Sequence, residues 1–191
     1  IVGIVTLDDK SKTIMYDSVK DSDWDNFGLP VIRVKNINED LSLVATLKPD
    51  LIVMAGWRQI LSKDFLNLPK EGVVGFHPTL LPVGRGPAPI INSIISGFKR
   101  SGISFFYVGS GLDDGDIIGQ EKFEIHENDY AADIYEKCII KGKILIKKYL
   151  PLLAIRSAPR KKQNSSEATY FQKRSLSDNE IDFDSESIEE I

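Results

Sequence analysis

The sequence predicts an α/β domain, with helices flanking a mainly parallel, twisted sheet. Three observations carry that reading. Apolar runs of strand length recur at Ile1 to Thr6, Pro30 to Val34, Leu51 to Ala55 and Val73 to Phe76. Stretches of helical spacing alternate with them, the pattern of a layered α/β domain. The chain has 191 residues and is 42% hydrophobic, enough for the core of one ordinary domain.

The elements follow in order. Ile1 to Thr6 ends at Asp8-Asp9 and reads as a buried strand. Residues 7–28 are polar and include Gly28, so a loop is expected there. Pro30 to Val34 is the second strand. From Glu39 to Leu47 the apolar side chains Leu41, Val44 and Leu47 share one helical face, and Pro49-Asp50 ends the helix. Leu51 to Ala55 is wholly apolar and is expected as a central strand buried on both faces. A short helix should follow, with Ser62 as its N-cap. Val73 to Phe76 is the next strand, and residues 77–88, rich in Pro and Gly, form a loop. Ala88 to Gly97 reads as a helix ending on its glycine. Gly102 to Val108 and Ile117 to Ile125 are strands joined by a turn. Residues 130–153 form the longest helix, with Ile134, Cys138, Leu145, Tyr149 and Leu152 in one stripe. This gives a domain over residues 1–157 and an extended tail or linker over residues 158–191.

Composition narrows the function classes. Lys and Arg number 24 against 28 Asp and Glu, a net charge of −4, so no global basic field draws in nucleic acid. A single cysteine, Cys138, excludes an intramolecular disulfide and a Cys-rich metal site. That cysteine usage fits a reducing, cytoplasmic compartment, and with no apolar run of membrane-spanning length no membrane partner is expected.

Ligands of open α/β sheets sit outside the carboxyl ends of the strands. That directs attention to Gly56–Leu61, Gly75–Pro89 and Gly109–Asp116. There are two histidines. His126 lies in a polar connection before a helix and reads as a solvated turn residue. His77 follows a strand directly, and Pro78 restricts the chain after it. An imidazole working near neutral pH needs a partner to set its tautomer and charge. Asp113, Asp114 and Asp116 are the carboxylates on offer. Asp114 suits a plain Asp-Gly turn, and sequence order alone does not choose among the three.

The segment Gly75-Phe-His-Pro-Thr-Leu-Leu-Pro82 resembles the signature loop of the folate-dependent formyltransferases, Asn-x-His-x-Ser/Thr-Leu-Leu-Pro. Arg85-Gly-Pro-Ala-Pro89 resembles the Arg-Gly-x-Ala-Pro that follows it in the sugar-nucleotide and methionyl-tRNA branches. Leu112-Asp-Asp-Gly-Asp116 resembles the family's Leu-Asp-x-Gly-Asp loop, and Asp113 follows His77 by 36 residues, as in the family. Gly56 to Leu61 resembles the loop lining the folate pocket. Glu167 to Arg174 and Ile181 to Phe183 resemble the segment after the catalytic domain.

The resemblance implies a Rossmann-like formyltransferase fold and 10-formyltetrahydrofolate as co-substrate, with no metal. It makes His77 and Asp113 the catalytic pair. Gln59, Ile60 and Leu61 would contact the pterin, largely through backbone, and Gly109, Ser110, Gly111, Leu112 and Asp113 would wrap its other edge. The acceptor it favours is the amine of a nucleotide-linked amino sugar, from the likeness of Tyr170–Arg174, Ile181–Phe183 and Val34–Ile37 to that branch. Methionyl-tRNA comes second, formyltetrahydrofolate hydrolysis third, and a folate-binding module with impaired catalysis remains the non-enzyme alternative. The sugar branch also implies a homodimer.

Three departures from the family pattern stand out. Gly75 replaces the Asn whose side chain donates to the formyl oxygen. Pro87 replaces a second Arg, leaving Arg85 as either an anion contact or a solvated loop residue. The family's first strand and helix have no counterpart before Ile1, so an N-terminally incomplete domain with one unfilled sheet position is expected.

Overall fold

Short apolar runs do become strands here, and they divide between two sheets. The computed structural model of the chain describes residues 1–8, 23–24, 26–175 and 178. The polar stretch expected as a loop over residues 7–28 therefore lies largely outside the described residues, as does the motif Ile181–Phe183. Strand β1 (Ile4–Leu7) pairs in parallel with β2 (Val31–Val34). The four-stranded sheet has the order β3 (Ile52–Met54), β4 (Val73–His77), β5 (Arg100–Tyr107), β6 (Ile117–Glu124). Its first pair is parallel and the other two are antiparallel. The expected mainly parallel order thus holds for the first half of the chain, while the long β5–β6 pairing makes the second sheet mixed.

The helices are α1 (Leu41–Ala45), α2 (Lys63–Leu66), α3 (Pro89–Ile95) and α4 (Ala131–Ala154). Ser62 caps α2 as expected, its hydroxyl accepting from the Phe65 N–H at 3.2 Å. Pro89 opens α3, where a missing N–H costs no intrahelical bond. On α4 the buried stripe is Ile134, Cys138, Leu145 and Leu153, packed with Val74, Phe105 and Ile118 of the sheet. Leu153, one residue beyond the expected Leu152, is the buried residue at the end of this stripe. Burial pushes the Cys138 thiol up to about 12, since the apolar surroundings disfavour the thiolate.

One expectation fails. Leu51–Ala55 was the predicted central strand, yet β3 lies at the end of its sheet and Val53 is 42% exposed. A short apolar run reports that a strand packs on a core; it carries no information about how many neighbours pair with it. Among the described residues, strand β1 likewise pairs only with β2, and all four of its residues are half-buried. Val5 and Leu7 of β1 pack against the same apolar cluster as Ile52 and Met54 of β3, so one core joins the two sheets.

After α4 the chain runs back across the domain. Lys161 exchanges backbone hydrogen bonds with Ile117 at 2.8 and 3.0 Å. Residues 169–171 then run alongside Pro82–Arg85, the Thr169 N–H donating to the Pro82 carbonyl, the Arg85 N–H to that of Thr169 and the Phe171 N–H to that of Arg85. Arg160, within the stretch expected as an extended tail, stacks over the Tyr107 ring at 3.5 Å and faces Asp116 at 3.8 Å. Among the described residues, no helix is long and apolar enough to cross a membrane.

Candidate active site

The site begins where β4 ends. Val73, Gly75 and His77 alternate on one face of that strand, and His77 is 6% exposed. Its Nε2 lies 2.7 Å from the Gly84 carbonyl oxygen. A carbonyl can only accept, so Nε2 carries the proton and the neutral ring presents Nδ1 as its lone pair. The partner that fixes the ring is thus the backbone of Gly84. Sequence reading assigned that duty to a carboxylate, because a main-chain acceptor leaves no trace in residue identity.

Gly84 can turn its carbonyl inward because of its conformation. Its φ is +72°, and a Cβ there would stand 2.7 Å from the Phe171 ring and 2.9 Å from the Thr79 methyl. The Gly84 N–H donates to the Thr169 hydroxyl at 2.8 Å, and the Thr79 hydroxyl donates to the Gly84 carbonyl at 3.3 Å. Behind this turn, the wholly buried Ser104 hydroxyl accepts from the Leu81 N–H at 3.0 Å and the Gln120 amide at 2.8 Å, and donates to the Thr79 carbonyl at 2.7 Å. Those three bonds use the whole capacity of the hydroxyl. The loop after β4 is therefore sewn to β5 and β6 by polar groups inside the fold.

The structure also chooses among the three aspartates. Asp113 Oδ2 lies 3.6 Å from His77 Nδ1 and accepts the Gly86 N–H at 2.9 Å. Because β5 runs antiparallel to β4, its carboxyl end lies beside Val74, and the following loop has to turn back to reach His77. Asp113 sits in that return with φ +49°, a conformation a non-glycine residue seldom holds. The Asp114 carboxylate instead folds over Gly111, and Asp116 faces Arg160. His126 is exposed, with its N–H on the Asp129 carboxylate. Lys137 and that backbone N–H hold Asp129 below the usual carboxylate range.

The other expected residues lie as follows. Gln59 spends its side chain internally, accepting from the Ile37 N–H at 2.9 Å and donating to the Lys35 carbonyl at 2.8 Å. Contact from Gln59 to a ligand would thus run through its backbone. Ile60 is 86% exposed, while Leu61 packs into the core beside Trp57. Leu112 is 53% exposed and approaches Gly86, Gly109 is half-buried, and Ser110 and Gly111 are exposed. Among the described residues, no group of three or more His, Cys, Asp or Glu side chains could hold a metal ion.

Arg85 does not answer to the description of a solvated loop residue. It is 3% exposed, and every guanidinium hydrogen bond goes to a neutral group: two to the Gln163 carbonyl oxygen at 3.1 and 2.7 Å and one to the Tyr170 hydroxyl at 2.9 Å. It is a buried strut between the loop and the segment after α4. Gly75 is buried, and a Cβ on it would lie 3.2 Å from Val108 Cγ2 and 3.6 Å from Met54 Cβ. The space a side chain would enter there is already walled by apolar groups.

The chain is similar to known proteins in sequence and in fold. The Formyl transferase family model matches residues 32–151. A methionyl-tRNA formyltransferase of Bacillus velezensis is 37% identical over 175 residues, covering 89% of this chain and 55% of the relative. That of Lysinibacillus sphaericus is 34% identical over 158 residues, covering 82% of this chain and 50% of the relative. The chain thus spans about half the length of the curated relatives it matches. Among solved structures, a methionyl-tRNA formyltransferase from Clostridium thermocellum superposes with a TM-score of 0.67 at 26% identity, over 96% of this chain and 78% of the other. A formyltransferase from Anoxybacillus kamchatkensis, solved with a formamido-sugar nucleotide and tetrahydrofolate, gives a TM-score of 0.67 at 23% identity, over 88% of this chain and 85% of the other. At that identity the second likeness speaks for the fold alone.

Proposed function

The chain belongs to the formyl transferase family, and from that premise we propose that it transfers a formyl group from 10-formyltetrahydrofolate to an amine. The observation that carries the proposal is the ordered His77–Asp113 pair: a buried imidazole locked through Nε2, with Nδ1 turned toward a carboxylate 3.6 Å away.

The chemistry follows from the ring's tautomer. The acceptor amine adds to the formyl carbon, leaving negative charge on oxygen and a surplus proton on nitrogen. His77 Nδ1 is the free lone pair that takes this proton. The imidazolium so formed keeps its Nε2–H on Gly84, and the Asp113 carboxylate stabilises the new charge at Nδ1. When the carbon–nitrogen bond to the folate breaks, the leaving nitrogen needs a proton, and the same Nδ1–H supplies it. The pair therefore ends as it began. No step uses a metal.

The loops beside the pair suit the co-substrate. The backbone of Gln59–Leu61 remains available once the Gln59 side chain is spent, and exposed Ile60 and Leu112 supply apolar surface for a flat ring. Residues Gly109–Asp113 would take its other edge.

For the acceptor, the relatives that cover 89% of this chain at 34–37% identity support methionyl-tRNA. On that support we rank it ahead of the amino-sugar nucleotide favoured from sequence. One observation keeps the sugar reading second: the net charge of −4 gives this chain no basic field for an RNA backbone. The test is to incubate the intact protein with 10-formyltetrahydrofolate and either methionyl-tRNA or a panel of amino-sugar nucleotides, following tetrahydrofolate release. Release only with the aminoacylated tRNA supports the reading, and release only with a sugar replaces it. Release with no acceptor identifies a hydrolase. Bound folate without release identifies a binding module.

A further inference from the structure

The side chain that ties Arg85 to the aspartate loop is Gln163, and every hydrogen-bonding site of its amide is in use. Oε1 accepts twice from the Arg85 guanidinium, at 3.1 and 2.7 Å. Nε2 donates to the Asp113 carbonyl at 2.8 Å and to the Gly115 carbonyl at 2.8 Å. These two carbonyls bracket the turn in which Asp113 holds φ +49°. Such a backbone conformation persists only where the surroundings over-determine it. The carboxylate end of Asp113 has one hydrogen bond, from the Gly86 N–H, and the main-chain end has the Gln163 amide.

We propose that Gln163 is a positioning residue for the reaction: it sets where the Asp113 carboxylate stands relative to His77 Nδ1, and it does so from the segment after α4. Arg85 acts as its backstop. The guanidinium fixes which way the amide faces, because only an oxygen can lie against it, and so commits the NH2 group to the two loop carbonyls. Tyr170 in turn fixes Arg85 at 2.9 Å, and backbone hydrogen bonds join Arg85 to Thr169 and Phe171. Docking of residues 161–171 is thereby coupled to the geometry of the catalytic pair. The proposal rests on formyl transfer being the reaction.

The substitution Gln163→Glu separates positioning from mere support. It keeps one oxygen against Arg85, so the buried cation and the docked segment retain their partner. It removes both donors and places oxygen against the carbonyls of Asp113 and Gly115. Gln163→Ala removes both functions and serves as the comparison. In the intact protein, Gln163→Glu should fold and melt above Gln163→Ala, yet lose about 10- to 100-fold in kcat, the scale of an ångström-sized misplacement. The KM for 10-formyltetrahydrofolate should change much less than kcat. Wild-type kcat in Gln163→Glu overturns the proposal.

A second readout does not depend on turnover. With two histidines in the chain, the imidazole proton resonances of His77 can be followed with His126 as an internal reference. Those of His77 should move in Gln163→Glu while those of His126 stay in place, and unmoved His77 resonances count against the proposal. If the wild-type protein releases no tetrahydrofolate with any acceptor, the formyl-transfer reading falls, and the resonances still decide whether Gln163 controls the pair.

Discussion

Two regions flank the candidate site and are held in opposite ways. On one side, His77, Thr79, Arg85 and Ser104 are polar and at most 6% exposed, and all are hydrogen-bonded. On the other, Leu112 is 53% exposed and Ile60 86% exposed, so apolar surface faces water. The first region spends hydrogen bonds on order, because a buried polar group without partners would cost about 1–3 kcal/mol. The second leaves its surface available. A rigid polar centre beside an open apolar rim is the division of labour expected of a pocket that holds a flat ring and does proton chemistry at its edge.

The sharpest way to break the comparison is at its centre. His77→Ala removes the proposed proton carrier and leaves the rim untouched. Tetrahydrofolate release should fall by about 10²- to 10⁴-fold, the range for a positioned general acid–base, while binding of tetrahydrofolate measured by fluorescence should persist. Loss of both together would mean that the two regions are not separable.

The next effect is on stability. Gly84→Ala places a methyl group between the Phe171 ring and the Thr79 methyl at a φ of +72°. The left-handed conformation and the overpacking together should cost about 3 kcal/mol, read as a lower urea midpoint. Limited proteolysis should then cut within residues 161–171 more readily, since Phe171 is what the new methyl displaces. An unchanged midpoint would mean that the turn is looser than its contacts indicate.

How much of this was legible beforehand follows from what kind of group does each job. The strand and helix sequence was readable because apolar spacing sets it, and Ser62 could be named as a cap because its hydroxyl does local work. The pair His77 and Asp113 came from motif resemblance, and the fold then supplied the reason why Asp113 rather than Asp114 or Asp116 meets the ring. Gly84 as the orienting acceptor was invisible, because a carbonyl belongs to every residue. Gln163 and Ser104 were missed for a different reason. Each is a single polar residue whose partners lie far along the chain, 48 and 50 residues away for Gln163 and 23 and 25 for Ser104. Only Ser104 left a trace, as a serine set between Ile103 and Phe105 in β5. Arg85 was misjudged because an arginine between glycines looks solvated until a later segment is laid over it. Strand β3 was misplaced because an apolar run does not tell how many strands pair with it, and Val53 within the run is 42% exposed.

Gly75 lies where the two regions meet, and its substitution tests the boundary. Its backbone is in ordinary strand conformation, so an asparagine is allowed there, at the cost of pressing on Val108 Cγ2 at 3.2 Å. If the site is built to work without that side chain, Gly75→Asn should change turnover by less than about tenfold. A gain of about 10²–10³, the worth of one donor to a developing oxyanion, would show instead that the polar centre is incomplete.

The mildest change belongs to the rim. Ile60→Ser removes apolar surface from a side chain that is 86% exposed and keeps the main chain, including the Ile60 carbonyl that accepts from the Asn38 amide at 2.9 Å. Stability should stay within about 0.5 kcal/mol of the wild type, as for most exposed substitutions. If the rim receives the pterin, the KM for 10-formyltetrahydrofolate should rise a few-fold with kcat held, because the lost contact is the same in the ground and transition states. A fall in kcat at constant KM would place Ile60 with the polar centre instead. The division between an ordered interior and an open edge would then have to be drawn on the other side of residues 56–61.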